Sequence, residues 1–300
     1  MENNLPDHLQ KLKETIQIDD EFVNYADRRI NWCINADSAL RKLPKNREFP
    51  YLDQNPPRVY GIVLNRKENH LLHSLYHMSN MWITKKYGFN SNIITQRVSN
   101  PHCILPLNRD NEFVLLDCEC DFVTLLTPLK VGASVEVAQF DFNFNSNTSN
   151  KFLNSIYPVS WKTIFDESNF YSTDFEFKIP PNSSIQTIFL SNNSVRKLED
   201  IDYQGRSIMF CYAFAAQQAK LKYNNTQDID SIVLEKPISI QCVYSNPVDF
   251  KIGFVLFQLN TLKFNDSTVR NQVWLSEPMS VLSNSKQVIT DLVAIQTLNI

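Results

Sequence analysis

The sequence predicts a mainly β protein, an antiparallel jelly-roll β-sandwich with an α-helical N-terminal segment. Up to about residue 100, apolar residues recur every three or four positions, which is the period of a helix. Beyond that point they come in short β-branched and aromatic runs, separated by Asn-, Ser- and Pro-bearing turns. No helices are regularly interleaved with these runs, as a parallel sheet would require. We therefore divide the chain into a helix-rich segment with one or two strands, 1–100, and a jelly-roll domain, 101–300.

The first predicted element is helical and covers residues 6–48, because Leu9, Leu12 and Ile16 recur at helical intervals. Prolines end this pattern, and a short strand is predicted at 59–64.

A second helix is predicted over a stretch that holds three of the five histidines. His70, His73 and His77 fall within an arc of about 60° on a helical wheel. The opposite side carries the apolar residues Leu71, Leu72, Leu75, Tyr76, Met78 and Trp82. This pattern predicts an amphipathic helix that ends near Gly88, with a histidine face that is solvated or lines an interface.

Eight strands are predicted after residue 100. They are 113–116, 122–126, 135–144, 175–179, 185–190, 208–214, 238–244 and 252–259. Several alternate between apolar and polar residues, which places Phe140, Phe142 and Phe144 on one face. Strands of this kind, with long connections, favour two facing sheets joined by Greek-key crossovers. Further strand-like pieces at 272–275 and 287–295 would extend an edge.

The three histidines are the candidate metal ligands. His73 and His77 can chelate Zn²⁺ from one helical face, and His70 is within reach. A complete site needs more ligands, and His102 or Cys103 would supply them only if the chain folds back. We therefore predict no bound metal.

Nothing in the sequence predicts catalytic chemistry or a cofactor. The five glycines are scattered, which argues against a phosphate-binding loop and against a nucleophile elbow. The six cysteines favour reduced, buried thiols. Asp117, Glu119 and Asp121 would share one face of a strand, where solvation explains them better than a cation. The chain is therefore not expected to be an enzyme.

One basic cluster is the candidate for contact with nucleic acid: Arg41, Lys42, Lys45 and Arg47. It lies among prolines and lacks interleaved aromatic residues, and the net charge of the chain is −3. We therefore expect a solvated linker or a subunit contact there, and no nucleic-acid partner. The start of the chain has no secretory pattern and no run is apolar enough to span a bilayer, so we expect no membrane partner.

The strand count, the Pro-Pro and Asn-Ser loops and the Gly-poor composition are similar to those of viral single jelly-roll capsid proteins. Within that group the chain resembles the penton-type minor capsid proteins of virophages, mainly over residues 110–265. The resemblance implies a structural protein of the virion, made in the host cytoplasm, that assembles through its surfaces. It also implies a homo-oligomer, a pentamer at an icosahedral vertex, and contacts with other capsid proteins.

Two other classes of protein fit the predicted sandwich. A plant-virus movement protein of the 30-kilodalton superfamily has a similar size and core, and it would bind RNA. A carbohydrate-binding sandwich is suggested by Trp161 and Trp274, although core packing explains lone tryptophans more often.

Overall fold

The computed structural model describes residues 7–35, 41–42, 60–62, 64–88, 93–109, 112–128, 137, 139, 177–191, 199–223, 232–247, 250–263 and 269–298. The helices are α1 Asp7–Thr15, α2 Asp20–Asn35, α3 Leu64–Tyr87, α4 Asp200–Lys222 and α5 Ser285–Thr297. The first strands are β1 Arg41–Lys42, β2 Tyr60–Gly61, β3 Ile93–Ser99, β4 His102–Arg109, β5 Glu112–Glu119 and β6 Phe122–Pro128. The later strands are β7 Ser184–Leu190, β8 Val233–Asn246, β9 Lys251–Thr261, β10 Gln272–Leu275 and β11 Met279–Ser280.

Seven of the strands form one open, mixed sheet in the order β10-β9-β8-β7-β6-β3, with β11 also paired to β9. The pair of β7 and β8 is parallel, whereas the other pairs of this sheet are antiparallel. A parallel pair needs a crossover, and α4 supplies it between β7 and β8. The strands β4 and β5 form a separate antiparallel pair, as do β1 and β2.

Helices cover the sheet on two sides, so the described residues form two hydrophobic clusters. One cluster lies between α4 and the sheet and includes Phe214, Ile240 and Cys242. The other joins α1, α2, α3 and α5 to the opposite face and includes Phe122 and Val243. The central strands are therefore buried on both faces, which accounts for the unbroken burial of β7 and for the apolar run at 252–257 in β9.

These observations confirm a protein rich in β-structure with helices near its N-terminus, but they do not confirm a jelly roll. The described strands of the main sheet form one mixed, open layer between helices. The division of the chain at residue 100 stays a prediction. The second cluster contains residues from both sides of it, from Leu9 to Ile295.

Two predicted strands are wrong, because 208–214 lies in α4 and 287–295 lies in α5. Both segments are buried around most of the helix, so their apolar residues hide the helical period. The short strand expected at 59–64 is limited to Tyr60–Gly61, since α3 already begins at Leu64.

Other predicted strands have mixed outcomes. The strands at 185–190, 238–244, 252–259 and 272–275 are confirmed within β7, β8, β9 and β10. Residues 113–116 and 122–126 likewise lie in β5 and β6. Most of 135–144 lies outside the described residues, and residues 177–179 of the strand expected at 175–179 are not in a strand.

Candidate nucleic-acid interface

One stripe of α3 carries the three histidines together with Arg66. His70 and His73 are half-buried, and His77 is exposed. The helix otherwise buries Leu71, Leu72, Leu75, Tyr76, Met78 and Trp82, as the sequence predicted. It ends before Gly88, whose φ of 77° is the left-handed conformation that favours glycine after a helix.

His73 lies between α3 and the sheet. Its ring stacks on that of Phe122, with ring centroids 4.4 Å apart and an interplanar angle of 14°. Its Nδ1 lies 3.0 Å from a terminal guanidinium nitrogen of Arg97, which can only donate, so Nδ1 accepts the hydrogen bond. Burial, and then the charge of Arg97, lower the pKa of His73. The ring is therefore neutral in this arrangement, with its proton on Nε2.

His70 lies between α2 and α3. The Nε of Arg66 donates a hydrogen bond of 3.4 Å to His70 Nε2. On the other side, the edge of the His70 ring meets Trp32, with centroids 6.5 Å apart and an interplanar angle of 74°. Next to His70, a buried contact of 3.0 Å between Cys33 Sγ and Ser74 Oγ joins α2 to α3.

The exposed face of α2 combines aromatic and basic side chains. Tyr25 is 40% exposed and Trp32 is 48% exposed. They are seven residues apart, which places them on one face of the helix, and Arg28 and Arg29 lie between them. The guanidinium carbon of Arg29 lies 4.8 Å from the centroid of the Trp32 ring, a cation–π contact. We call Tyr25, Arg28, Arg29, Trp32, Arg66 and His70 the α2–α3 surface.

The predicted metal ligands do not form a metal site with other side chains. Within the described ranges, no group of three or more His, Cys, Asp or Glu side chains is placed to hold a metal ion. The further ligands considered, His102 and Cys103, lie on β4, where His102 pairs with Asp117 and Cys103 lies opposite Cys118.

The acidic triplet is not one face of a strand. Asp117 and Glu119 are exposed on β5, but Asp121 lies beyond the end of that strand and is buried. Its Oδ1 accepts hydrogen bonds of 2.8 Å from Asn69 Nδ2 and from Ser191 Oγ. Asp121 therefore ties α3 to the ends of β6 and β7, and the expectation of a shared acidic face is wrong.

Five of the six cysteines lie in the cluster that α4 forms with the sheet, one of them on α4 itself: Cys103, Cys118, Cys120, Cys211 and Cys242. All six are reduced and buried. Burial raises the pKa of Cys118 to about 12 and raises the pKa of Cys211 well above its usual value. Thiols in this state pack as small apolar groups and are poor nucleophiles.

The basic cluster expected to be the nucleic-acid candidate is described only in part. Arg41 and Lys42 form β1, whereas Lys45 and Arg47 lie outside the described residues. Trp274, considered for carbohydrate, is half-buried against the core, and Trp161 also lies outside the described residues.

The α2–α3 surface was not predicted as a site from the sequence. A pattern that predicts part of it is nevertheless present in the sequence. Tyr25, Arg28, Arg29 and Trp32 are three, one and three residues apart, which places them on one face of a predicted helix. Basic residues interleaved with aromatic ones are typical of surfaces that bind single-stranded nucleic acid. The contribution of His70 and Arg66 depends on how α2 packs on α3, which the sequence does not give.

No helix in the described part of the chain has the length and apolar character that crossing a membrane demands.

No protein-family model matches the chain. The chain is similar to two curated proteins that both carry the name large ribosomal subunit protein mL37. It is 30% identical to the protein from Mus musculus over 191 residues, which cover 60% of this chain and 42% of the mouse protein. It is 27% identical to the protein from Rattus norvegicus over 191 residues, with the same two coverages. The chain thus spans less than half the length of these relatives.

These similarities overturn the viral interpretation. The resemblance to capsid proteins rested on strand count and composition, whereas the similarity to the two ribosomal proteins is a match of sequence. The predicted role in a capsid, the pentamer, the capsid partners and the virion localisation are therefore wrong. The expectation of no nucleic-acid partner is contradicted as well, because both similar proteins are named as proteins of the large ribosomal subunit. The similarities do not support a movement protein or a carbohydrate-binding protein either.

Proposed function

We propose that this chain is a structural protein of the large ribosomal subunit. The observation that carries the proposal is the similarity over 191 residues to large ribosomal subunit protein mL37 of the mouse. We read the prefix m in that name as marking the mitochondrial ribosome, and we propose the same location for this chain. Its partners would then be ribosomal RNA and neighbouring ribosomal proteins.

We further propose that the chain has no catalytic activity. The side chains most suited to chemistry serve packing and local contacts in the described residues. Burial raises the pKa of Cys118 and Cys211, which makes their thiols unreactive. Asp121 accepts hydrogen bonds from Asn69 and Ser191, which hold together the ends of neighbouring elements. These features support a role in which a rigid sheet between helices presents its surface to partners.

Sedimentation of ribosomes tests the proposal. We would express the chain with an epitope tag in its own cells, lyse isolated mitochondria, and separate the ribosomal subunits on a sucrose gradient. We expect the tagged chain in the large-subunit fraction, and we expect it to leave that fraction when the subunit is unfolded by removing magnesium. A chain that stays at the top of the gradient in every condition would contradict the proposal.

A further inference from the structure

We infer that the α2–α3 surface binds unpaired RNA, with a base stacked on Trp32 and Arg29 and with phosphates held by the neighbouring arginines. The inference rests on the proposed function and adds to it the part of the chain that contacts RNA and the conformation of the RNA. It depends on the arrangement of Tyr25, Arg28, Arg29 and Trp32 along α2 and on the packing of α3 beside them.

The geometry provides a flat surface on which a base can stack. Trp32 remains 48% exposed although Arg29 lies over its ring and the His70 ring contacts it. Guanidinium planes and aromatic rings both stack on bases, and base–aromatic stacking tolerates any sequence. Tyr25, 40% exposed on the same helical face, provides a second ring two turns away. This arrangement provides stacking sites for two bases.

The local charge is positive although the net charge of the chain is −3. Arg28 and Arg29 are exposed, Arg66 is adjacent on α3, and Arg97 follows beyond His73. Among the described residues, the acidic side chains near this surface are Asp20 and Glu21 in the first turn of α2, the half-buried Asp27, and the buried Glu68 and Asp121. Glu68 accepts a hydrogen bond from Ser245, and Asp121 accepts hydrogen bonds from Asn69 and Ser191. A polyanion would therefore be attracted to this surface locally.

Unpaired RNA fits this surface better than a duplex or a protein. In a duplex the bases are already stacked on one another, so the exposed rings of α2 would have no base to receive. Tyr, Trp and Arg are enriched in protein interfaces as well, but the centre of such an interface is otherwise depleted of charge. Here the exposed residues of α2 from Asn24 to Asn35 are, besides the two rings, the two arginines and the polar Asn24, Asn31 and Asn35, which are suited to phosphates and base edges, while the exposed Glu21 lies one turn before Tyr25.

The test uses the purified 300-residue chain and a fluorescein-labelled single-stranded RNA of about 15 nucleotides. Fluorescence anisotropy gives the dissociation constant at salt concentrations from about 50 to 300 mM. We expect binding that weakens linearly on a logarithmic salt scale, and weaker binding to a duplex of the same length. Replacing Arg28 and Arg29 together by Gln should weaken binding and reduce the salt slope by about 0.7, the value for one phosphate contact, because Arg28 holds a phosphate whereas Arg29 stacks on the base.

Two further variants separate stacking from charge. Trp32→Ala should weaken binding by about fivefold to hundredfold with little change in the salt slope, and Trp32→Phe should retain most of the affinity. The matched control replaces Lys85 and Lys86 by Gln, which removes the same charge from an exposed position at the far end of α3. This control should bind RNA like the wild-type chain. Thermal unfolding of each variant checks that the fold is retained.

Several outcomes would overturn the inference. One is the absence of binding to single-stranded RNA at the lowest salt concentration, and another is equal loss of affinity in the Arg28/Arg29 variant and in the lysine control. A variant that leaves the ribosomal fraction on the gradient but keeps its RNA affinity would show that the surface contacts a protein instead. Failure of the proposed function is distinguishable, because the wild-type chain would then bind RNA but not sediment with the large subunit.

Discussion

Tyr244 on β8 lies directly opposite Gly253 on β9, and its ring fills the space that a side chain at position 253 would need. A β-carbon added to Gly253 would overlap the ring of Tyr244, which is fully buried and cannot move into solvent. We expect Gly253→Ala to lower the free energy of unfolding by about 1–3 kcal/mol, as overpacked cores do. Urea denaturation followed by circular dichroism measures this change.

Gly205→Ala is the matched control for that substitution. Gly205 lies in α4, and a β-carbon added there would meet nothing within 4 Å. Because Ala favours a helix over Gly by about 0.8–1.0 kcal/mol, this variant should be more stable than the wild-type chain. Equal destabilisation by the two alanines would contradict the packing argument.

A backbone carbonyl in the last turn of α5 accepts a hydrogen bond from a glutamine of the sheet. Gln241 is fully buried, and its Nε2 donates a hydrogen bond of 3.1 Å to the carbonyl oxygen of Ile295 in the last turn of the helix. The Oγ1 of Thr187 donates a bond of 2.8 Å to Gln241 Oε1. Gln241→Leu leaves the carbonyl oxygen of Ile295 and the hydroxyl of Thr187 without these hydrogen bonds. We expect it to lower the free energy of unfolding by about 1–3 kcal/mol.

Gln96→Ala serves as the control for this prediction, because Gln96 lies on the exposed strand β3. Its free energy of unfolding should stay within about 0.5 kcal/mol of the wild-type value. Hydrogen exchange gives a second readout, since amides in the last turn of α5 should exchange faster in the Gln241 variant alone. Unchanged exchange there would show that the helix end does not depend on the glutamine.

The sequence was sufficient to predict elements with one buried face. The period of the apolar residues identified α3 and its end near Gly88, and it placed the helical region that contains α2. Elements buried on all sides were harder to identify. The apolar run at 208–214 carries neither a clear helical period nor strict alternation, so it was predicted as a strand although it lies in α4.

Sheet order and the candidate site depend on contacts between distant residues. The parallel pairing of β7 with β8 follows from the crossover through α4, so misreading that helix as a strand also led to the jelly roll. For the site, the basic residues Arg28 and Arg29 were visible in the sequence. Their contact with Trp32, and the position of His70 beside it, depend on side-chain conformation and on the packing of α2 against α3.

Lys13 and Asp291 form an ion pair of 2.5 Å between α1 and α5, in a largely buried position. Burial raises the pKa of Asp291 despite the hydrogen bonds from Lys13 and Gln287. The folded chain therefore binds a proton at this carboxyl more readily than the unfolded chain does, and the stability that this group contributes falls as pH rises from its normal pKa to its raised pKa. Asn keeps the hydrogen-bond acceptor and carries no charge, so we expect Asp291→Asn to be at least as stable as the wild-type chain at neutral pH.

Lys13→Met is the companion variant, because it leaves the carboxylate of Asp291 buried without its cation. We expect it to lower the free energy of unfolding by about 1–3 kcal/mol at neutral pH. Chemical denaturation of both variants at the same pH measures the contrast. A loss of stability in Asp291→Asn as large as that in Lys13→Met would mean that the pairing outweighs the cost of burying the charge.

The stacked ring of His73 predicts that the chain loses stability in mild acid. Burial and the charge of Arg97 lower the pKa of His73 from 6.5, so the unfolded chain binds a proton more readily than the folded one. The stability from this group is complete above the unfolded value and is lost as pH falls through the lowered value. In His73→Phe, which keeps a ring against Phe122, the free energy of unfolding should depend less on pH between about pH 7 and pH 5.

His77→Gln, at an exposed position of the same helix, should keep the pH dependence of the wild-type chain. If denaturation curves show the same pH dependence in His73→Phe as in the wild-type chain, the titration of another group accounts for the loss.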